Sequence, residues 1–146
     1  AIWLDLLEVP PVAREFIEHH NRSERVDTYD AGFNKDSFPE GADIAIMASN
    51  LPMYGREAIQ AVIQKIYKVL LPDSEFHLIG EALNEDRSGP SDPAMWGLAQ
   101  TLHNSTGMAH SVAECTGYLK NAGFQNIEVS DFVPEVLTRI SGRKAQ

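Results

Sequence analysis

Several polar side chains follow apolar segments directly, at positions where a ligand could meet them. Ser49 and Asn50 come after the apolar run 44–48, and Asp5 ends the shorter apolar run 2–4. Open α/β sheets bind their ligands beyond the carboxyl ends of the strands. These three side chains are therefore candidate binding groups, with turn formation or a solvated strand end as the structural alternative.

Two histidines could supply a general base. An unperturbed imidazole titrates near a pH of about 6.5, so His103 or His110 could take a proton from a substrate hydroxyl. Packing or simple surface exposure is the alternative for each of them. The other histidines and the single cysteine do not have the spacing of metal ligands, and we predict no metal site; these residues are His19, His20, His77 and Cys115.

Alternating strands and helices must position these groups. The segment 43–48 has no polar alternation, which is typical of a parallel strand covered on both faces. Strand followed by helix, repeated along the chain, predicts an α/β sheet with helices on both faces and a terminal antiparallel strand pair. The predicted strands are 2–5, 25–30, 43–48, 75–82, 126–130 and 136–140, and the predicted helices are 11–20, 56–71, 93–104 and 111–123.

Length and composition exclude several classes of protein. The 146 residues suit one domain spanning 1–146, and no apolar run approaches the roughly 20 residues of a membrane span. A net charge of -9 has the wrong sign for binding a phosphate backbone, so we expect no nucleic-acid partner. One cysteine and an amino-terminal segment unlike a signal peptide predict a cytoplasmic protein.

The order of these motifs resembles the carboxyl-terminal part of small-molecule O-methyltransferases that use S-adenosylmethionine. The resemblance covers nearly the whole chain, and it implies an incomplete Rossmann-like sheet of the class I methyltransferase fold. The features that carry it are the acid Asp5 after an early strand, Ser49-Asn50 after the apolar strand, a helix ending at Leu71-Pro72, then Glu81, Asn121-Ala122-Gly123-Phe124 and the final strand pair.

The resemblance implies that Asp5, with Leu6 beside it, binds the ribose of the cofactor. A carboxylate can accept hydrogen bonds from both vicinal hydroxyls, and such charge-assisted bonds are strong. The family places a second acid, for the adenine amine, after the next strand. Gly32 occupies that acid's position here and Phe33 follows it, so Asp30 is the candidate substitute, or else an ordinary turn residue. Ser49 and Asn50 are assigned to the cofactor as well.

The catalytic positions depart from the family pattern. Plant members have a histidine base just after the central strand, where this chain has Pro52, which cannot take a proton. Glu81 matches a carboxylate that orients that histidine, and Ala109 stands where a second such carboxylate is often found. His110 or His103 would then have to act as the base.

An acceptor pocket is also implied by the resemblance. Trp, Met and Tyr side chains suit a flat aromatic molecule. Helix packing or a dimer interface is the alternative, above all for Trp96. The residues assigned to this pocket are Tyr54, Trp96, Gln100, Asn104 and Met108.

The family's glycine-rich loop and first strand have no counterpart in this sequence, which starts at the family's second strand. We therefore expect a further polypeptide to supply them, within a longer protein or a homo- or hetero-oligomer, or else a rearranged fold in which other strands close the gap. The isolated chain is expected to bind S-adenosylmethionine weakly or not at all. The predicted function is methyl transfer to a hydroxyl of a small aromatic acceptor of secondary metabolism. The alternatives are a methyltransferase-like scaffold that transfers no methyl group, and an unrelated doubly wound domain.

Overall fold

The chain folds into two compact units. The computed structural model describes residues 1–6, 8–33, 35–103 and 106–146. The first unit comprises Ala1–Pro39 and the second Glu40–Gln146. The single domain over 1–146 stays a prediction.

The first unit contains two parallel strands and one helix. Strand β1 (Ile2–Asp5) pairs with β2 (Asp27–Asp30), and helix α1 (Pro10–His19) connects them. Two prolines begin α1, where the fixed φ of proline suits the first turn. Because the strands are parallel and in register, Asp5 lies opposite Asp30 at their shared carboxyl edge.

The second unit is built around a four-stranded mixed sheet. Across the sheet the order is β3 (Ala42–Ala48), β4 (Leu70–Gly80), β8 (Leu137–Arg143) and β7 (Gln125–Val133). Strand β3 is parallel to β4, β8 is antiparallel to β4, and β7 is antiparallel to β8. The predicted terminal antiparallel pair is confirmed. The elements in chain order are β3 (Ala42–Ala48), a 3-10 helix (Leu51–Met53), α2 (Arg56–Val69), β4 (Leu70–Gly80), β5 (Ala82–Leu83), α3 (Ser91–His103), β6 (His110–Ser111), α4 (Val112–Ala122), β7 (Gln125–Val133) and β8 (Leu137–Arg143).

The core of the second unit lies between the sheet and the helices α2 and α4. Apolar residues recur along α2 at helical spacing, and its buried side chains all belong to one stripe. Each fully buried aliphatic or aromatic side chain stabilises the fold by about 1.5–3 kcal/mol. Completely buried members of this core include Phe76, Leu78, Ile59, Ile63, Leu119 and Ile140.

Helix α4 has both of its predicted end signals. The Ser111 hydroxyl accepts a hydrogen bond from the Glu114 N–H at 3.2 Å, and the Glu114 carboxylate accepts one from the Ser111 N–H at 2.8 Å. This reciprocal capping box satisfies two N–H groups that the first helical turn leaves unpaired. Gly123 ends the helix at a φ of 107°, a conformation that glycine adopts without steric strain.

The boundary between α2 and β4 differs from the prediction. We expected the helix to continue to residue 71 and Pro72 to stop it, but α2 ends at Val69 and β4 begins at Leu70. Leu70 pairs with Ala42 of β3, and the register shifts before the next pair, Ile44 with Glu75. Pro72 lies within this irregular stretch, where the missing N–H breaks no regular ladder bond.

No helix in the described ranges is long and apolar enough to cross a membrane.

Candidate functional site

The carboxyl ends of β3 and β4 form one edge of the second unit, and candidate residues follow both strands. Ala48 pairs with Ile79, and the Ser49 N–H donates to the Ile79 carbonyl at 2.9 Å. Asn50 and Glu81 come next on the two chains. Ser49 itself has a φ of 56°, the left-handed region that costs a non-glycine residue energy and recurs at functional sites.

Two buried oxygens at this edge have no partner among the described residues. Asn50 Oδ1 and Glu81 Oε2 receive no hydrogen bond from that part of the chain. A buried acceptor without a donor costs about 1–3 kcal/mol, so such atoms call for an explanation. A donor group on a ligand would remove that cost.

The 3-10 helix contains Pro52, the position at which the resemblance predicts the family's histidine base, and it packs closely on its surroundings. Leu51 packs so closely on Gly80 that a Cβ at Gly80 would lie 3.0 Å from the Leu51 Cβ. The Pro52 carbonyl accepts a hydrogen bond from the Met108 N–H at 3.0 Å. Both Leu51 and Pro52 are buried, so this segment is fixed in place. Pro52 has no titratable side chain and cannot accept a proton.

Helix α3 packs tightly against the segment that precedes β6. A Cβ on Gly97 would lie 2.4 Å from the Ala109 Cβ, and one on Gly107 would lie 2.6 Å from the Gln100 carbonyl oxygen. The Thr101 hydroxyl lies within hydrogen-bond distance of the carbonyls of Gly97 and Gly107. The glycines therefore permit this close approach.

These contacts bring part of the predicted acceptor pocket together. The Met108 N–H binds the 3-10 helix, and Gln100 borders Gly107, the residue before Met108. Both are half-buried, as is Tyr54. Trp96 is 51% exposed on α3. Asn104 lies outside the described residues.

His110 is completely buried, and both of its ring nitrogens have partners. Nε2 lies 2.8 Å from the Tyr54 carbonyl oxygen, which can only accept, so Nε2 carries the proton. Nδ1 is then the acceptor and receives the Tyr118 hydroxyl at 3.0 Å. Burial lowers the pKa of His110, although the Tyr54 carbonyl raises it. To act as the predicted base, His110 would have to break one of these two bonds.

An acidic residue that the sequence analysis did not single out as a site residue lies close to His110. The Glu114 carboxylate binds Arg56 at 2.6 Å and Arg87 at 2.8 Å, in addition to its bond in the capping box. Burial raises the pKa of Glu114, but the Ser111 N–H and the two guanidinium groups lower it by more. The capping motif is visible in the sequence; the two arginines, 58 and 27 residues away, are not.

His103, the other candidate base, lies at the end of α3. Its side chain is exposed, and Nδ1 is 2.9 Å from the Ala99 carbonyl one turn earlier. That bond stabilises the helix end.

In the first unit, the two strand-end acids have different surroundings. Asp5 is half-buried and its Oδ1 accepts the Leu6 N–H at 2.8 Å, while no donor within the described residues binds Oδ2. Asp30 pairs with Arg14 at 3.4 Å, and the same arginine donates from Nε to the Thr28 hydroxyl at 2.6 Å. Asp5 is therefore better suited than Asp30 to accept donors from a ligand.

The turn after β2 is closed by a carboxylate that the sequence analysis missed. The Gly32 N–H donates to Asp36 Oδ2 at 2.5 Å, and the Asp36 N–H donates to the Gly32 carbonyl at 3.0 Å. A Cβ at Gly32 would lie 3.0 Å from Asp36 Oδ2. Phe33, half-buried, follows Gly32 in this turn.

Within the described residues, no group of three or more His, Cys, Asp or Glu side chains is arranged so that it could hold a metal ion.

Comparison with known proteins gives concordant matches. Acetylserotonin O-methyltransferase of Gallus gallus is 30% identical over 125 residues, which are 86% of this chain and 35% of the relative. The tetracenomycin polyketide synthesis 8-O-methyl transferase TcmO of Streptomyces glaucescens is 25% identical over 89% of this chain and 38% of its own length. The chain thus spans well under half the length of these relatives.

Solved structures match nearly the whole chain. Human N-acetylserotonin methyltransferase in complex with SAM superposes with a TM-score of 0.83 at 26% identity, covering 99% of this chain and 40% of that one. PigF with SAH gives 0.83 at 25% identity, with 98% and 42% coverage. A putative O-methyltransferase from Nostoc punctiforme reaches 0.88 at 20% identity, covering 98% and 44%, which supports the fold alone.

The methyltransferase fold class, predicted from the order of motifs, is confirmed by the solved structures, and the family resemblance by the relatives and the family model. Residues 1–125 fit the family model of the O-methyltransferase domain, a range that includes both strand edges and α3. Since this range is far more than half of the chain, the chain belongs to the O-methyltransferase domain family.

Proposed function

We propose that this chain forms the carboxyl-terminal part of an enzyme that transfers a methyl group from S-adenosylmethionine to a hydroxyl of a small aromatic acceptor. The match of residues 1–125 to the O-methyltransferase domain carries this proposal. Relatives that act on acetylserotonin, a tetracenomycin polyketide and a hydroxynaphthoate support an aromatic acceptor.

The residues of the first unit are compatible with the cofactor's nucleoside. Asp5 is half-buried and has a carboxylate oxygen, Oδ2, that can accept a ribose hydroxyl. The turn with Gly32 and Phe33 follows the neighbouring strand, as expected for the adenine side, and Asp30 stands beside it. When bound, S-adenosylmethionine supplies an electrophilic methyl group on a sulfonium. In the second unit, Ser49 and Asn50 are the proposed cofactor contacts.

The acceptor side is assigned to the contacts around α3. Tyr54, Gln100 and Met108 are the proposed lining of the pocket, together with Trp96, whose ring is exposed, and Asn104. Methyl transfer is an in-line displacement, so holding the acceptor oxygen in line with the methyl carbon accounts for much of the rate. His110 and His103 remain the histidines proposed for proton removal, and replacing both with Ala tests that role.

We further propose that another polypeptide segment, in the same or a separate chain, completes the protein. Within the described residues β1 pairs with β2 alone and β3 with β4 alone, which leaves one edge of each strand unpaired. On β3, Ile44 and Ile46 are 54% and 66% exposed. Unpaired apolar edges readily accept a further strand, and the segment is expected to bring the glycine-rich loop as well.

Titration calorimetry with S-adenosylhomocysteine tests the proposal. The ligand is titrated into this chain alone and into the chain joined with the polypeptide that carries the glycine-rich loop. We expect binding only in the second case. Absence of binding in both cases would overturn the methyltransferase proposal.

A second candidate is a methyltransferase-like scaffold that transfers no methyl group, as a complementing or structural subunit. Pro52 at the base position and the fully bonded His110 favour it. This candidate predicts that the chain forms a stable complex with its partner. The complex would methylate no phenol in an assay with radiolabelled S-adenosylmethionine.

A further inference from the structure

We propose that Asn50 and Glu81 form the subsite for the reacting end of the acceptor, and that Glu81 itself takes the hydroxyl proton. The subsite fits an aromatic ring that carries two neighbouring hydrogen-bond donors, such as vicinal hydroxyls. This inference rests on the proposed function. It assigns to Asn50 a substrate role in place of a cofactor role, and to Glu81 the proton removal that is otherwise proposed for His110 or His103.

The positions of the two residues come from the strand register. Ala48 pairs with Ile79, and the Ser49 N–H extends this pairing to the Ile79 carbonyl. Asn50 and Glu81 therefore leave adjacent parallel strands at the same edge. Neighbouring strands lie about 4.8 Å apart, so the two residues begin from adjacent backbones at this edge.

The buried oxygens identify what the subsite lacks. In the part of the chain that the structure describes, three buried side-chain polar atoms have no partner: Asn50 Oδ1, Glu81 Oε2 and His77 Nδ1. Two of the three follow the carboxyl ends of neighbouring strands. Both are oxygens that accept hydrogen bonds, so the missing group is one that donates.

The backbone on each side of these residues is fixed. The Asn50 carbonyl accepts the Met53 N–H at 3.2 Å, and Leu51 packs on Gly80. Immediately after Glu81, Ala82 pairs with His110 in the short parallel ladder of β5 and β6. A binding group held in this way loses little conformational freedom when a ligand arrives.

Glu81 is the group at this edge that can take a proton. Pro52 has no titratable side chain, and His110 Nδ1 already accepts the Tyr118 hydroxyl. As the acceptor oxygen forms its bond to the methyl carbon, its proton moves to Glu81 Oε2. The methyl–sulfur bond breaks with its electron pair remaining on sulfur, and the Glu81 proton then passes to water.

Binding measurements on the completed protein test the subsite without requiring turnover. The probes are catechol, phenol and anisole, whose affinities are measured by chemical-shift titration. We expect catechol to bind at least tenfold more tightly than anisole, and Asn50→Ala and Glu81→Ala each to remove most of this difference. Glu85→Ala, an exposed acid of the following loop, serves as the matched control and should bind like the wild type.

Turnover tests the proton step separately. With a methylated phenol as readout, Glu81→Gln should lower kcat at least 100-fold with little change in KM, because a positioned base contributes about 10²–10⁴-fold. Turnover within threefold of wild type would overturn the role of Glu81 as base.

The outcomes distinguish this inference from the proposed function. If S-adenosylhomocysteine does not bind and no phenol is methylated, the proposed function fails, and the proton step fails with it. The catechol preference then decides the subsite alone: its loss in the Asn50 and Glu81 variants supports the subsite, and equal binding of catechol and anisole overturns it. A circular dichroism spectrum and an unfolding midpoint like those of the Glu85 control exclude misfolding.

Discussion

The Tyr118 hydroxyl donates a hydrogen bond to Nδ1 of His110 across 3.0 Å, inside the protein. Nε2 of the same ring donates to the Tyr54 carbonyl, so one neutral imidazole joins α4 to the segment that leads into α2. These two hydrogen bonds stabilise the packing of α4 against the segment that precedes α2.

Acid should destabilise the second unit through His110. Burial holds the pKa of His110 below its ordinary value of 6.5, so the unfolded state binds the proton more readily than the folded state. The stabilising contribution is complete above a pH of about 6.5 and is lost as the pH falls through the folded pKa. In His110→Gln, the free energy of unfolding measured in urea should fall less between about pH 7 and pH 5.

His20→Gln is the control for that experiment, because His20 is exposed. This variant should keep the wild-type fall in stability on acidification. An equal slope in wild type and His110→Gln would show that His110 is not the group responsible. The chosen range stays above 4.5, the ordinary value for Glu114, whose pKa is also lowered.

Removing the Tyr118 hydroxyl should lower the free energy of unfolding. Tyr118→Phe leaves the buried Nδ1 of His110 without a donor, and an unpaired buried acceptor costs about 1–3 kcal/mol. Urea denaturation measures the loss. Tyr67→Phe is the matched control, since no described residue bonds to the Tyr67 hydroxyl, and a loss of the same size there would contradict the prediction.

The close contact between α3 and the segment before β6 should not tolerate a methyl group. Gly97→Ala places a Cβ 2.4 Å from the Ala109 Cβ and 2.7 Å from its nitrogen, and overpacking of this kind costs about 1–3 kcal/mol. Gly117→Ala on α4 has nothing within 4 Å and should stabilise the helix by about 0.5–1 kcal/mol. The midpoint of thermal unfolding is measured for both variants and for the wild type. A Gly97→Ala protein with the wild-type midpoint would contradict the described packing.

Replacing Asp5 should weaken cofactor binding without unfolding the chain. Hydrogen bonds to a charged group contribute about 1.5–3 kcal/mol, so Asp5→Asn should raise the Kd for S-adenosylhomocysteine roughly 10- to 100-fold in the completed protein. Asp27→Asn, at the opposite end of the strand pair, is the control and should bind normally. Unchanged affinity in Asp5→Asn would remove Asp5 from the cofactor site.

Most of the elements were predictable because their signals are local. The apolar stripe of α2, the Ser111 capping box and the unbroken apolar run of β3 each lie within a short stretch of sequence. The boundary at Leu70 was not, because pairing with Ala42 extends the backbone at a position where the helical pattern alone would continue.

The family, the α/β order and the lack of a titratable side chain at Pro52 follow from the order and type of the residues. Which side chains are available for chemistry depends on the tertiary packing. His110 meets partners 8 and 56 residues away. Asn50 and Glu81, whose buried oxygens have no partner within the described residues, follow adjacent strand ends because of the register of β3 and β4. Burial and hydrogen bonding depend on which distant segments pack together, and no local pattern in a sequence records that choice.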